Sequence, residues 1–244
     1  MNARFYTPGI TPGALIELSA EESQHATRVL RLGVGAAVRV FDGEGREFSA
    51  VIVDTAKKGV CLAVGPATVP AMEPNIAVTL VQAVLKGDKM DDVVRDAVML
   101  GVAAIQPVVT ERSEVSLVAL ERGARRERWE RVAIASTKQC GRAVVPTIAP
   151  PALLWRSLFT PPGAFTVMCV EPGLPAGGGS IWSLPEVAPP VVRLMVGPEG
   201  GWTPEEVGRG AAGATLVTLG KRTLRADAMA IVALSALYTR WRDV

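Results

Sequence analysis

Two short stretches of this sequence carry the residue types and spacings that best support chemistry. The first, VGPEGGWTPEEV at residues 196–207, places one carboxylate, Glu199, among closely spaced glycines. The second, LGKRTLRADAMA at residues 219–230, carries Arg222 and Arg225 between an apolar run and an alanine-rich run. Glycines let a ligand lie directly on backbone N–H and C=O groups. We therefore predict one binding site to which both stretches contribute.

The carboxylate of Glu199 limits which ligand the glycine-rich stretch can hold. Loops that cradle phosphates use bare N–H groups or a lysine, so a carboxylate makes a nucleoside triphosphate a poor fit. A neutral or cationic ligand fits better. The alternative is a tight turn in which the glycines only supply positive φ angles.

Arg222 and Arg225 are predicted to lie in a loop between a buried strand and a buried helix. Positive charge is costly there unless an anion pairs with it. A ligand shared with the glycine-rich stretch would explain the two arginines. The alternative is a structural salt bridge from either arginine to Glu199 or Asp227.

Histidine and cysteine are too scarce for several classes of site. The chain has one histidine, His25, and three cysteines without paired spacing. These counts argue against a histidine-based metal site, a zinc knuckle, a Ser-His-Asp triad and a disulfide framework. We therefore expect no metal cofactor.

Charge and hydropathy restrict the partners and the location. The net charge of +2 is too small to identify a nucleic-acid binder by itself, so any basic surface must be local. No apolar run approaches the roughly 20 residues that span a bilayer, and no signal segment is recognised. We expect a cytoplasmic protein with no membrane partner.

Two kinds of sequence pattern must position the candidate residues. Up to about residue 66, short valine-rich runs separated by turn residues predict a small β-rich domain. One short helix is predicted within it, with Ser19 as its N-cap and Glu22 three residues later completing a capping pattern. After the proline-rich linker GPATVPAMEP, apolar runs alternate with helical patterns. This alternation predicts an α/β domain with a mostly parallel sheet.

The glycine-rich stretch can be placed within that α/β domain. Thr203, Pro204 and Glu206 form a capping box with proline at the first helical position, which predicts that a helix starts there. GPEGG is then the loop at the carboxyl end of a strand, where open α/β sheets bind ligands. The arginine-bearing stretch follows the next strand in the same way.

A resemblance to one family covers nearly the whole chain. LMVGPEGGWTPEEV followed by TLGKRTLRADAMAIVAL resembles the C-terminal signature of the SPOUT methyltransferases. Three further stretches narrow the resemblance to the RsmE family, which methylates N3 of a uridine in small-subunit (16S) ribosomal RNA: HATRVLRLGVGAAVRVFDGEG at 25–45, KGDKMDDVVRDAVMLGVAAIQPVVTERSEV at 86–115 and RWERVAIASTKQCGRAVVPTI at 128–148.

The chain departs from the family pattern at two places. The family usually has Arg-Thr-Glu-Thr where this chain has Arg225, Ala226, Asp227 and Ala228. It usually has Glu-Leu-Gly at 99–101, where this chain has Met-Leu-Gly. The first departure shortens one carboxylate and removes two hydroxyls beside the predicted site.

The resemblance implies a fold, a cofactor and an assembly. Residues 1–70 would form a PUA-like RNA-binding β-barrel domain, and residues 71–244 a SPOUT-type, trefoil-knotted domain with a mostly parallel sheet. The methyl donor would be S-adenosylmethionine, which leaves as S-adenosylhomocysteine. The partners would be ribosomal RNA, within the small subunit, and a second copy of the chain in a homodimer.

The resemblance also suggests roles for individual residues. A fixed guanidinium would stabilise the negative charge that appears on uracil as N3 loses its proton, and Arg225 is the candidate. We expect Glu199 to orient the donor rather than to remove the proton. The predicted donor-binding residues are Gly197, Pro198, Glu199, Gly200, Gly201, Leu219, Gly220, Arg222 and Leu224.

Local basic residues are predicted to bind the RNA. Arg28 and Arg31 are expected on one face of the N-terminal helix, with His25 one turn earlier, and would contact phosphates. Lys86, Lys89 and Arg112 would extend this surface toward the site. For the arginines between 122 and 131, which glutamates interrupt, ordinary solvated charge is the better interpretation.

Three alternative functions differ in what they require. A SPOUT methyltransferase acting on a different rRNA or tRNA nucleotide would have the same donor loops. A non-catalytic RNA-binding or ribosome-assembly protein would keep the fold without binding the donor. A dinucleotide-binding enzyme is only weakly indicated by GVGAAV at 33–38, because the third glycine is missing and the context is β-rich.

Overall fold

The computed structural model describes residues 3–55, 59–158, 161–174 and 177–243. The chain divides into two compact units. The first comprises Met1–Glu73 and Ile134–Val145, and the second comprises Pro74–Ala133 and Pro146–Val244. No helix in the described residues is both long enough and apolar enough to cross a membrane.

The first unit is built on a five-stranded sheet with strand order β1-β3-β4-β5-β2. Its strands are β1 (Arg4–Tyr6), β2 (Leu15–Glu17), β3 (Ala37–Phe41), β4 (Glu47–Asp54) and β5 (Cys61–Thr68). β1 runs parallel to β3, and the other pairings are antiparallel. Alternate residues such as Val38, Val40 and Ile52 point into one apolar core, as the period of a half-buried strand requires. The predicted N-terminal β-rich domain is confirmed.

The helix of the first unit begins as predicted but does not continue as predicted. The helix α1 (Ala20–Gln24) starts where the Ser19 hydroxyl accepts the Glu22 N–H at 3.2 Å. From His25 to Val29 the backbone widens into a π-helix. Arg31 lies beyond this helix with φ at +54°, so the prediction that Arg28 and Arg31 share one α-helical face is wrong.

Packing explains the widened turn. The Leu32 N–H donates to the carbonyl of Ala26, which is completely buried, and Leu32 packs against the same core. A regular α-helix would carry the chain past this anchor, and tertiary packing overrides the local helical preference.

The second unit is built on an eight-stranded sheet with strand order β11-β13-β10-β12-β6-β7-β8, and β9 also pairs with β7. Its strands are β6 (Ala77–Ala83), β7 (Ala104–Val109), β8 (Thr147–Ile148), β9 (Ala152–Leu153), β10 (Phe165–Cys169), β11 (Gly179–Ser180), β12 (Val191–Val196) and β13 (Thr215–Thr218). Every pairing among them is parallel. The predicted SPOUT-type α/β fold, with a PUA-like domain before it, is confirmed.

Helices lie between these parallel strands and after the last of them. They are α2 (Lys89–Met99), α3 (Leu117–Arg122), α4 (Arg125–Cys140), α5 (Leu154–Ser157), α6 (Pro204–Ala211) and α7 (Ala226–Trp241). The central strands β6 and β12 are nearly continuous apolar runs, which is typical of a parallel sheet covered on both faces. Residues 134–140 of α4 belong to the first unit.

The strand order determines where a ligand can bind. β13, β10 and β12 are neighbours, although β10 precedes β12 and β13 in sequence. The loops that follow these strands therefore meet at one edge of the sheet, the carboxyl edge, which is where open α/β sheets bind ligands.

Candidate active site

The glycine-rich loop connects β12 to α6 and is fixed by the predicted capping box. Thr203 Oγ1 accepts a hydrogen bond from the Glu206 N–H at 3.2 Å, and a carboxylate oxygen of Glu206 accepts one from the Thr203 N–H at 2.9 Å. The other oxygen of Glu206 accepts the Glu111 N–H at 3.0 Å, which ties the start of α6 to the segment after β7. The loop is thus held at its helical end by hydrogen bonds in a buried environment.

Two glycines of the loop are required by their surroundings. Gly201 has φ at +68°, and its N–H donates to the Pro198 carbonyl at 3.0 Å, which closes a turn. A Cβ on Gly201 would overlap the Glu171 carboxylate. A Cβ on Gly197 would meet the Trp202 indole at 3.0 Å. The glycines therefore supply both a positive φ angle and close approach.

Arg112 holds the outer side of the same loop. Its guanidinium donates to the carbonyls of Gly200 and Trp202 at 2.9 and 3.2 Å. A Cβ on Gly200 would meet the Arg112 side chain at 3.2 Å, and Gly200 is not among the residues that line the cleft. Arg112, predicted to bind RNA, thus has a structural role in shaping the glycine-rich loop.

Glu199 is an ionised carboxylate with defined partners. Its Oε1 accepts hydrogen bonds from the Lys89 ammonium at 3.0 Å and from the Lys86 backbone N–H at 3.2 Å. Partial burial pushes the pKa of Glu199 upward, but hydrogen bonds from Lys89 and from backbone N–H groups outweigh it and hold the pKa below its ordinary value. A carboxylate held in this way is a weak base and a good fixed anchor.

Three loops at the carboxyl edge of the sheet line one cleft within the second unit. The loop after β12 contributes Gly197, Pro198, Glu199, Gly201 and Trp202. The loop after β13 contributes Leu219, Arg222, Thr223, Leu224 and Arg225, and the loop after β10 contributes Val170, Glu171 and Pro172. Gly220 does not line the cleft but has φ at +88°, so it supplies a turn. Of the predicted donor-binding residues, all except Gly200 and Gly220 lie on this cleft.

The cleft-lining arginines are exposed rather than buried. Arg222 is exposed, and three quarters of the Arg225 side chain is accessible. The expectation of costly buried charge is therefore wrong, because the loop after β13 faces outward at the sheet edge. Arg225 Nε lies 3.4 Å from Asp227 Oδ1 in an ion pair. Asp227 Oδ1 is buried and accepts no hydrogen bond within the described residues.

Sequence reasoning missed two features of the cleft. Glu171 follows β10, the middle strand of the three, and its carboxylate lies against Gly201. Cys169 also lines the cleft, and burial raises the pKa of its thiol to about 12, so the thiol stays protonated. The rule that ligands bind at carboxyl ends of strands would have indicated Glu171, but only once β10 was placed between β12 and β13.

The other predicted RNA-binding residues occupy different settings. Lys89 lines the cleft and pairs with Glu199. Lys86 pairs with Glu114 at 2.8 Å on the surface of the second unit, and this hydrogen bond raises the pKa of Lys86. In the first unit, Arg28 and Arg31 are exposed, whereas the His25 ring is partly buried with its edge against Phe5.

Comparison with known proteins shows which protein family this chain matches. An RNA methyltransferase domain model matches residues 72–238, and an RNA methyltransferase PUA domain model matches residues 18–64. The chain is 31% identical over 229 residues to ribosomal RNA small subunit methyltransferase E of Synechocystis sp., covering 92% of this chain and 73% of that protein. It is 24% identical over 238 residues to the protein of that name from Buchnera aphidicola, covering 93% and 88%.

Two solved structures are similar along almost their whole length. A Legionella pneumophila methyltransferase in complex with S-adenosylmethionine superposes with a TM-score of 0.90 at 32% identity, covering 98% of each chain. A ribosomal RNA small subunit methyltransferase E from Neisseria gonorrhoeae, bound to S-adenosylmethionine, superposes with a TM-score of 0.89 at 30% identity, covering 99% of this chain and 98% of that one.

Proposed function

Because this chain belongs to the RNA methyltransferase family that includes ribosomal RNA small subunit methyltransferase E, we propose which reaction it catalyses and with which residues. It transfers a methyl group from S-adenosylmethionine to N3 of a uridine in small-subunit ribosomal RNA. The resemblance to this family that the sequence motifs indicated is confirmed, and so is the prediction that the chain is an RNA methyltransferase.

The observation that carries this proposal is the cleft at the carboxyl edge of β13, β10 and β12. Three carboxylates line it, Glu171, Glu199 and Asp227, together with three cationic side chains, Lys89, Arg222 and Arg225. Walls of both charges suit S-adenosylmethionine, which carries a sulfonium, an ammonium and a carboxylate. The buried Oδ1 of Asp227 lacks a hydrogen bond within the described residues and would gain one from a donor group of the ligand. The bare backbone at Gly197 and Gly201 would let the ligand approach closely.

When bound, S-adenosylmethionine supplies an activated methyl group, and the protein has to position the two reactants and exclude water. Glu199 is held by Lys89 and contributes a fixed negative charge to the donor side of the cleft. Its lowered pKa supports orientation rather than proton removal. Leu219 and Leu224 supply apolar wall on the opposite loop.

Arg225 acts on the acceptor. Uracil N3 must lose a proton before or during methylation, and negative charge then develops on the ring oxygens. The Arg225 guanidinium lines the cleft, is exposed and lies beside Asp227, which leaves its N–H groups available to those oxygens. N3 lies on the pairing edge of the base, so the target uridine must be unpaired or flipped out.

The direct test is to find where the methyl group goes. Isotopically labelled S-adenosylmethionine is incubated with the protein and with small ribosomal subunits, or with naked rRNA, from a strain that lacks the enzyme. Mass spectrometry of nuclease digests should locate the label on N3 of one uridine. Label on another nucleotide would indicate a methyltransferase of different specificity, and an absence of donor binding by calorimetry would indicate a non-catalytic RNA-binding protein.

Two further properties belong to the same proposal. Action on ribosomal RNA supports a cytoplasmic location, and the family resemblance supports a homodimer. Analytical ultracentrifugation of the purified chain measures the oligomeric state directly. A species with the mass of one chain at all concentrations would contradict the homodimer.

A further inference from the structure

One segment of the first unit, residues 28–34, exposes side chains that the fold does not use. Val29 and Val34 are each 65% exposed and Leu30 is 40% exposed. The neighbouring strand β4 adds Val51 and Val53, each 42% exposed. We call these five aliphatic residues the apolar ridge.

The two parts of the apolar ridge are adjacent. The Gly35 N–H donates to the Ile52 carbonyl at 2.8 Å, and the Ile52 N–H donates to the Ala36 carbonyl at 3.0 Å. Ile52 points into the core, so Val51 and Val53 on either side of it point outward. The end of segment 28–34, at Val34, therefore lies next to β4.

The exposure of the ridge is built into the backbone. The Leu30 N–H donates to the His25 carbonyl at 3.0 Å, which closes the π-helix, and the Leu32 side chain is anchored on the core. Arg31 adopts a left-handed conformation, which costs free energy in a residue with a side chain. π-Helical segments and residues with strained backbone angles recur at functional positions, because the surrounding structure must hold the backbone in a conformation that it does not favour by itself.

The charge beside the ridge indicates an anionic partner. Arg28 and Arg31 flank Val29 and Leu30 in sequence and are exposed. Neither guanidinium has a hydrogen bond or an ion pair to another of the described residues. Arginines without partners bind phosphates well, whereas exposed aliphatic side chains gain only from contact with apolar surface.

We propose that the apolar ridge binds the base faces of an unpaired segment of the RNA substrate, while Arg28 and Arg31 bind its phosphates. The proposal rests on the proposed function for the identity of the substrate as RNA. Only a single strand combines accessible base faces with closely spaced phosphates, since a duplex buries the base faces in its stack. A role limited to phosphates would leave the exposed valines without a contact.

The test compares two pairs of substitutions in the full-length protein. Val29→Ser with Val34→Ser removes aliphatic surface from the ridge. Leu15→Ser with Val69→Ser is the matched control, because Leu15 is 70% and Val69 87% exposed on other segments of the same unit. Affinity is measured for single-stranded poly(U) and for the poly(U)·poly(A) duplex over a range of salt concentrations.

We expect the ridge pair to weaken binding of poly(U) about tenfold, from the loss of buried apolar surface. The slope of log affinity against log salt should stay at the parent value, because no phosphate contact is removed. Duplex binding and the control pair should stay close to the parent protein. Circular dichroism establishes that each variant is folded.

Parental affinity of the ridge pair for poly(U) would overturn the proposal. Equal losses for poly(U) and duplex would also overturn it, because base faces would then not be what the ridge recognises. A change in sedimentation without a change in RNA affinity would assign the ridge to a protein contact instead. The proposed function fails separately, in the methylation assay with the parent protein, whatever the ridge variants show.

Discussion

Arg225 and Asp227 form the charged pair on which the chemistry of the cleft depends most directly. Arg225 occupies the position before the first residue of α7, and Asp227 lies in the first helical turn. A carboxylate in the first turn of a helix interacts favourably with the helix dipole, and Asp227 occupies such a position in α7. The shorter side chain found here, in place of the glutamate usual in the family, still contacts Arg225 Nε.

Arg225→Ala should lower the methylation rate by about 100-fold or more, with much smaller losses of donor and RNA affinity. The reason is that the guanidinium offsets charge that appears on uracil only as N3 loses its proton. Arg225→Lys should recover only part of the rate, because a point charge does not reproduce the planar fork.

Single-turnover methylation with saturating donor and ribosomal substrate measures the effect, alongside separate binding titrations. Arg209→Ala, an exposed arginine on α6, is the control and should react at the parental rate. A rate loss for Arg225→Ala that is fully matched by lost donor affinity would make Arg225 a binding residue.

Glu199→Gln should destabilise the protein at neutral pH, and the difference from the parent should vanish in acid. The pKa of Glu199 is lowered in the folded protein from an ordinary value of 4.5, so its ionised form stabilises the fold above that pH. As the pH falls through the folded pKa, the parent carboxylate protonates and this contribution is lost.

Urea unfolding from neutral pH down to about pH 3 follows the difference in free energy of unfolding between the parent and the variant. Glu205→Gln, whose exposed pair with Arg209 contributes little, serves as the comparison. If the difference in free energy of unfolding between the parent and Glu199→Gln grew in acid, the ionised Glu199 carboxylate would not be what stabilises the fold.

At the scale of elements, the glycine-rich loop is held from three sides. The capping box fixes its helical end, Arg112 binds two of its carbonyls, and Lys89 binds Glu199. These partners follow different strands, so the assembled sheet is needed to bring them to the loop. Its shape is then fixed before a ligand arrives, which lowers the ordering cost of binding.

Gly201→Ala should lower both stability and donor affinity. Alanine at a φ of +68° costs on the order of 1 kcal/mol, and its Cβ would also overlap the Glu171 carboxylate. Adding Glu171→Ala should remove the overlap and recover part of the stability, but not the cost of the positive φ.

Gly208→Ala is the matched control, because a Cβ there meets no atom within 4 Å and the residue lies inside α6. Alanine should leave donor affinity unchanged and stabilise the helix by up to about 1 kcal/mol. Thermal unfolding and calorimetric titration with S-adenosylhomocysteine measure both effects. Parental stability and affinity of Gly201→Ala would contradict the shape assigned to this turn.

At the scale of the whole molecule, the candidate functions are divided between two units. The donor cleft is lined entirely by residues of the second unit, and Arg28 and Arg31 belong to the first. The matching family models divide similarly, with the PUA model inside the first unit and most of the methyltransferase model in the second. Substitutions at Arg28 and Arg31 should therefore leave donor binding unchanged.

Arg28→Glu with Arg31→Glu should weaken RNA binding and leave donor affinity unchanged. Loss of two phosphate contacts should also reduce the slope of log affinity against log salt by about 1.4, the value for a single strand. Filter binding of small-subunit rRNA at several salt concentrations measures the slope. Arg122→Glu with Arg131→Glu reverses the same number of exposed charges in the second unit and should change RNA binding little. If the slope of log affinity against log salt were the same for both charge-reversal pairs, Arg28 and Arg31 would be solvated surface residues without phosphate contacts.

The sequence by itself determined the features that depend on neighbours along the chain. Thr203, Pro204 and Glu206 predicted the start of α6, Ser19 predicted the start of α1, and alternating strand and helix patterns predicted the parallel sheet. Capping and periodicity are local, because the groups that satisfy each other lie within a few residues. The ordered motifs added the family, which the comparisons confirm.

Only the tertiary structure decided which residues meet across the sheet. β10 lies between β12 and β13, which brings Glu171 against Gly201, and Arg112 and Lys89 bind the glycine-rich loop from separate elements. The π-helix after Gln24 and the conformation of Arg31 also depend on a distant cause, the core on which Leu32 packs. Strand order and side-chain partners are set by the packing of segments far apart in sequence, and that packing overrides the local preferences from which a sequence is interpreted.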